Sequence, residues 1–202
     1  MDDLETLRRC LALKDETRTG WQLRGIEDPE SVADHSWGVS LLCLFYADRA
    51  GVDADRALRM AVLHDLAEAE TGDYATRADP NAETVDPDEK ERAERAAIAT
   101  LLEPFDDGEL RALWEEYEAR ETPEAQFVKD ADLLDMCLQA LQYEREQRYD
   151  PDADDHFEAY DDLDEFFATA EPRIRTDVGR ELFERTRERY EDAKRDRERT
   201  AE

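Results

Sequence analysis

Three histidines occur in this chain of 202 residues, and two of them stand in apolar helical patterns beside carboxylates. In "AVLHDLAEAETGD", Ala61 to Asp73, His64 directly precedes Asp65, and Glu68 follows at i+4 from His64, one helical turn on and so near the same site. A neutral imidazole and a carboxylate are common ligands for a divalent metal. Successive helical residues diverge by about 100°, so His64 and Asp65 can meet one ion only if it lies between their directions. A bare His-Asp pair is also an ordinary polar pair on a helix surface. His35 shares a face with Val32, Val39 and Leu42, where a hydrogen-bonded core histidine is the plainer expectation. A further carboxylate is offered by "FVKDADLLDM", in which Asp130 and Asp135 flank the main apolar face and Asp132 lies in a second, shorter stripe with Val128 and Met136. Helical geometry does not choose among the three.

The elements that must position these residues are helical throughout, and no convincing strand is present. Leu4, Leu7, Cys10 and Leu11 mark a first helix. Pro29 and Ser31 open a second, with Val32, His35, Val39, Leu42 and Tyr46 on its face and Gly51 at its end. Asp53 caps a third, expected from Ala54 to about Glu70 and stopped by Gly72. A polar stretch from Asp73 to about Asp86 is the longest loop, of the length that is usually functional. Helices follow from about Pro87 to Leu102, from about Gly108 to Arg120, and from Thr122 and Pro123 onward with Phe127, Ala131, Leu134, Leu138 and Leu141 on one face. The acidic segment around Pro151 reads as a solvated loop at its start, and a charged helix is expected over about 173–202. Without a repeat or linker, residues 1–202 read as one compact all-α domain, a helical bundle.

Composition narrows the function classes. Acidic residues number 56 against 27 basic, a net charge of −29, and lysine appears only at positions 14, 90, 129 and 194. Such a field disfavours nucleic acid and anionic membranes as partners. An acid-rich, lysine-poor surface suits a halophilic, salt-rich cytoplasm, where at about 1 M salt the Debye length is about 3 Å and surface carboxylates barely repel. Cys10, Cys43 and Cys137 are far apart, set in apolar patterns, and read as reduced core residues. No signal peptide or membrane-length apolar run is present, so a cytoplasmic location is expected.

The order His35, His64-Asp65, Asp132 resembles the HD-domain metal-dependent phosphohydrolases. More closely, "RTGW", "ESVADHSWGVS", "HDLAEAETGD" and "FVKDADLLD" resemble the HD-domain 5′-deoxynucleotidases and their eukaryotic relatives, over about residues 18–143. The resemblance implies a single HD domain in which His35, His64, Asp65 and Asp132 bind one divalent metal ion, with Mn, Co, Fe, Zn and Ni all suited to two histidines and two aspartates. It implies that Glu68 is the catalytic acid/base, that Asp73 is a second active-site carboxylate, and that Trp21 lies beside the substrate pocket. Bacterial members place an arginine directly before that tryptophan; here Gly20 intervenes, and Arg18 is the candidate. Arg24 and Lys129 are further cations for a phosphate. Trp37 is either core or pocket wall, His156 falls in the acidic loop, and Trp114 with Tyr117 reads as a packing stripe. The implied activity is hydrolysis of nucleoside 5′-monophosphates, with deoxyribonucleotides preferred, by a homodimer. Other readings are an HD hydrolase of nucleoside triphosphates or cyclic dinucleotides, and a metal-stabilised binding module without turnover.

Overall fold

The computed structural model describes residues 2–75, 78, 85–105, 108–149, 160 and 162–201. Ten α-helices follow in order: α1 (Asp3–Cys10), α2 (Thr19–Leu23), α3 (Val32–Ala50), α4 (Ala54–Leu63), α5 (Glu68–Thr71), α6 (Pro87–Leu102), α7 (Glu109–Ala119), α8 (Pro123–Glu146), α9 (Asp164–Ala170) and α10 (Asp177–Ala201). Among the described residues there is no strand, only an isolated bridge between Thr17 and Ser31. The all-α bundle expected from the sequence is what forms.

The helix starts follow local chemistry. Ser31 accepts from the backbone N–H of Asp34 while Asp34 reaches back to Ser31, a complete capping box. Asp53, Asp86 and Thr122 cap α4, α6 and α8 through their side chains, and Pro87 and Pro123 occupy first-turn positions where no N–H is needed. Gly51 ends α3 with φ of 72°, a left-handed conformation that costs glycine little.

Helix α8 is the spine: α3, α4, α7, α9 and α10 all pack on it. Its first half enters a core with Val39, Met60, Ile98 and Trp114, and its second half enters another with Trp21, Phe167, Phe183 and Tyr190. Being surrounded, α8 buries residues on more than one face, Val128 as completely as Phe127. Each large apolar side chain buried here contributes about 1.5–3 kcal/mol. Leu138, expected on the main apolar face, is instead exposed.

Four differences from the expected elements have physical causes. The helix from Ala54 does not run to Glu70; it ends at Leu63, and i→i+3 bonds from Leu66 N to Leu63 O, Glu68 N to Asp65 O and Glu70 N to Ala67 O tighten the chain before α5. Helix α2 is a five-residue turn, too short to show a periodicity. Helix α9 rises within the acidic segment around Phe166 and Phe167. Helix α10 starts at Asp177 rather than near Arg173, because Glu171–Arg173 form a 3-10 turn and Thr176 caps the helix by accepting from Gly179 N. Asp130 anchors that cap from α8, accepting from Arg175 N (2.9 Å), Thr176 N (2.7 Å) and Thr176 Oγ1 (2.7 Å). A Cβ on Gly179 would lie 2.2 Å from Asp130 Oδ2, so α10 approaches this closely only with glycine there.

Cys43 and Cys137 are buried and Cys10 is half-buried, all as free thiols. Among the described residues no helix is long and apolar enough to cross a membrane. His156 and most of the Asp73–Asp86 and Pro151 loops lie outside the described residues.

Candidate metal centre and its cleft

His35 reaches the centre from α3, His64 and Asp65 from the tight turn after α4, and Asp132 from α8. His35 Nε2 lies 3.3 Å from His64 Nε2, 3.2 Å from Asp132 Oδ1 and 3.6 Å from Asp65 Oδ2, and His64 Nε2 lies 3.1 Å from that same oxygen. Ligand atoms held about 2.1 Å from one ion stand roughly 3.0–3.4 Å from each other. These spacings fit that arrangement. One ligand atom each from His35, His64 and Asp132 falls within 4.8 Å of the others.

The tautomers fit as well. His35 Nδ1 faces Asp135 Oδ2 at 2.8 Å, and His64 Nδ1 faces the carbonyl of Ala61 at 2.7 Å. With Nδ1 donating in both rings, the two Nε2 lone pairs point at one another, and they repel unless a proton or a metal ion lies between them. The surroundings favour a cation strongly. Burial and the Arg18 charge push the His35 imidazole pKa down, yet hydrogen bonds to Asp132 and Asp135 outweigh both and hold it up at about 10. Burial would raise the Asp65 and Asp132 carboxyls, but His64 beside Asp65, and Lys129 and His35 beside Asp132, keep both below the usual carboxylate range. Once a metal ion displaces the proton held between the rings, two neutral imidazoles and two ionised carboxylates form a donor set for a divalent cation.

Asp132 divides its oxygens. Oδ1 faces the histidines, while Oδ2 accepts from Tyr117 Oη at 3.0 Å and Lys129 Nζ at 2.6 Å. Burial, then Asp132 and Asp65, push the Tyr117 hydroxyl far up, so it stays a neutral donor. Tyr117 is a site residue that the sequence does not mark as one. Its i+3 spacing from Trp114 fits a packing stripe, and only the docking of α7 on α8 turns its hydroxyl to Asp132. Trp114 does pack, and donates to the His64 carbonyl at 3.3 Å.

The tightened turn also changes what Glu68 aligns with. In i→i+3 geometry residues three apart eclipse, so Glu68 stands over Asp65 rather than over His64. Its side chain is buried, Oε2 has no hydrogen-bond partner among the described residues, and burial, then Asp65 and Asp73, push its carboxyl well above the usual range. Asp73 is engaged differently. Its Oδ2 accepts from Thr19 N at 2.6 Å and its Oδ1 lies 3.3 Å from Arg18 Nη1, which also faces Asp65 Oδ2 at 3.3 Å. Burial opposes the Arg18 charge, but Asp73 and Asp65 more than compensate.

A cleft of about 270 Å³ opens over these groups, walled by Arg18, Trp21, Glu68, Asp132, Leu133 and Phe166. It shares Asp65, Glu68, Lys90, Arg120 and Lys129 with a neighbouring cleft of about 360 Å³. Trp21 is almost fully buried, stacked on Phe166 at 4.0 Å with Nε1 donating to Glu30, so only an edge meets the cleft. Lys90 was not singled out in the sequence, because α6 brings it in from a separate element. Arg24 is not at the cleft: it is buried and donates to the Tyr160 carbonyl. Trp37 is neither core nor pocket wall; 67% of it is exposed.

Behind His35, Asp135 sits in a cradle that any side chain on Gly38 would fill, since a Cβ there would come within 1.9 Å of Asp135 Oδ1. Gly38→Ala should therefore displace Asp135 and release the His35 Nδ1 hydrogen bond, lowering metal affinity about 10–100-fold. A metal titration checks this, and unchanged affinity in that variant would remove Asp135 from the metal's support.

This arrangement, helices delivering an ordered His, His-Asp and Asp to one point, is that of an HD-domain protein, and the HD-domain family profile matches residues 10–173. The chain belongs to that family, in its 5′-deoxynucleotidase-like branch. It is 42% identical over 144 residues to the 5′-deoxynucleotidase HDDC2 of Danio rerio, covering 70% of this chain and 69% of that protein. The fold is similar to the crystal structure of a Pyrococcus horikoshii protein, with a TM-score of 0.71 and 33% identity over 93% of this chain and 98% of that one. It is also similar to a protein of Magnetospirillum magnetotacticum described as a predicted metal-dependent phosphohydrolase, with a TM-score of 0.65 and 26% identity over 95% and 91% of the two chains.

Proposed function

We propose that this chain hydrolyses nucleoside 5′-monophosphates, deoxyribonucleotides foremost, to nucleoside and inorganic phosphate, using one divalent metal held by His35, His64, Asp65 and Asp132. The observation that carries the reading is the convergence of those four donors beside a buried Glu68 whose Oε2 has no partner among the described residues. The 5′-deoxynucleotidase relatives support the substrate class.

One divalent ion at this site would lower the pKa of the attacking water and shield the phosphate charge. Glu68 takes a proton from the water as its oxygen bonds to phosphorus. The bond from phosphorus to the nucleoside 5′ oxygen breaks, and that oxygen receives the proton back. Arg18, held between Asp65 and Asp73, and Lys129 face the phosphate; Asp73 acts by positioning Arg18. These local cations are needed because the −29 field of the whole chain repels a nucleotide.

The test is phosphate release from a nucleotide panel with Mn, Co, Fe, Zn or Ni against a chelator, at low and high salt. Inorganic phosphate from deoxynucleoside monophosphates, lost on chelation, is expected. Triphosphate or a linear dinucleotide as the product, or no turnover with any metal, overturns the reading. High salt should favour activity if the acidic surface serves a salt-rich cytoplasm.

The active form is a homodimer. Trp37, Leu41, Leu44 and Phe45 lie at i, i+4, i+7 and i+8 of α3, and three of them are exposed, an apolar stripe on a strongly charged protein. Light scattering in high salt, where the repulsion between two −29 chains is screened, should give twice the chain mass for the wild type and the single-chain mass for Phe45→Asp. A monomeric wild type there contradicts the assignment.

A further inference from the structure

Around the rim of the cleft the balance of charge reverses. A small cavity of about 100 Å³ is lined by Arg120, Gln126, Lys129, Pro172, Arg173 and Arg175: among the described residues, four cations and no carboxylate, in a chain with twice as many acids as bases. It is continuous with the reaction cleft, because Arg120, Lys129 and Arg173 line both. Among the described residues neither Arg120 nor Arg175 is in an ion pair.

The backbone that carries Arg120 and Arg175 is held from behind. Arg120 ends α7 with φ of 54°, the left-handed position that glycine fills most readily, and its carbonyl accepts from Gln126 Nε2 at 3.2 Å. A left-handed arginine costs roughly 1–2 kcal/mol, a strain of the kind found at functional sites. Asp130 grips the backbone of Arg175 and Thr176, bringing Arg175 beside Lys129, the neighbour of Asp130 on α8. Arg173 Nη1 donates to the Thr169 carbonyl at 2.6 Å. Lys129 already faces Asp132, so the charges left to be met are those of Arg120 and Arg175, and like charges on one cavity repel unless an anion joins them.

We propose that this cavity is a second phosphate subsite, so that the chain binds nucleotides carrying another phosphate besides the 5′ one, such as nucleoside 3′,5′-bisphosphates. This rests on the proposed nucleotidase reading for the position of the 5′ phosphate. The subsite would be filled by a phosphate of the same molecule or by free phosphate.

Equilibrium binding to the metal-loaded protein separates these, using 5′-phosphonate analogues of deoxyadenosine 5′-monophosphate with and without a 3′-phosphate, in which a P–C bond replaces the one that breaks. Charge-assisted hydrogen bonds contribute enough for a preference of about tenfold or more for the 3′-phosphorylated analogue. Arg175→Gln, outside the reaction cleft, should abolish that preference and leave binding of the plain analogue unchanged. If the subsite takes free phosphate, inorganic phosphate binds to protein already saturated with the plain analogue, and Arg175→Gln removes that binding. The proposal is overturned if wild type shows neither behaviour, or if Arg175→Gln keeps whichever it shows. Because the readout is binding, absent turnover would count against the nucleotidase reading alone.

Discussion

Asp132→Asn loses the metal, while Asp130→Asn, two residues away on the same helix, keeps it and loses stability instead. Asp132 is placed to give one oxygen to the ion while the other accepts from Tyr117 and Lys129. An asparagine cannot do both, because one of its two positions is a donor that would face donors, and the site loses a negative charge. The affinity should fall by more than the roughly 100-fold that removing an outer-shell partner produces. Asp130 has no part in the centre. Its carboxylate gathers Arg175 N, Thr176 N and Thr176 Oγ1, and an amide nitrogen there would oppose them. Leaving buried groups of this kind unsatisfied costs about 1–3 kcal/mol, read as a lower thermal midpoint. Metal analysis and thermal unfolding of the two purified variants decide the matter. A full metal complement in Asp132→Asn together with loss from Asp130→Asn would reverse the assignment.

The three aspartates of α8 also show where sequence reasoning ends. Periodicity assumes one buried face, and on that assumption Asp130 or Asp135 was the inward carboxylate. Helix α8 is enclosed by five others, so each aspartate meets a different partner: Asp130 the start of α10, Asp132 the histidines, Asp135 the back of His35. Only the family resemblance singled out Asp132. The caps at Ser31, Asp53, Asp86 and Thr122, by contrast, were legible because each acts on backbone within three residues of itself. Tyr117, Lys90 and the Arg175 cavity were not, since each depends on how separate helices dock. The break at His64 falls between these cases. The residues of the turn are ordinary helix formers, so their types do not mark the i→i+3 bonds that end α4 at Leu63.

That tightening is why Glu68→Gln should be the most informative change to the chemistry, expected to lower kcat by about 10²–10⁴ while leaving the metal in place. Eclipsed with Asp65 across the i→i+3 turn, Glu68 lines the cleft over the centre and is absent from the close group of His35, His64 and Asp132. Glutamine preserves its size and burial and adds no unpaired charge, so folding is not at issue. What it removes is the proton site. Burial, then Asp65 and Asp73, raise the Glu68 carboxyl well above the ordinary range, which strengthens it as a proton acceptor. As the base, Glu68 must be ionised, so wild-type kcat should fall as pH drops through its raised pKa. In Glu68→Gln that acidic limb should vanish from an already low profile. Near-wild-type turnover of Glu68→Gln under saturating metal, or an unchanged acidic limb, would move the proton transfer to another group, and Asp73, tied to Thr19 and Arg18, would have to leave both partners to supply it.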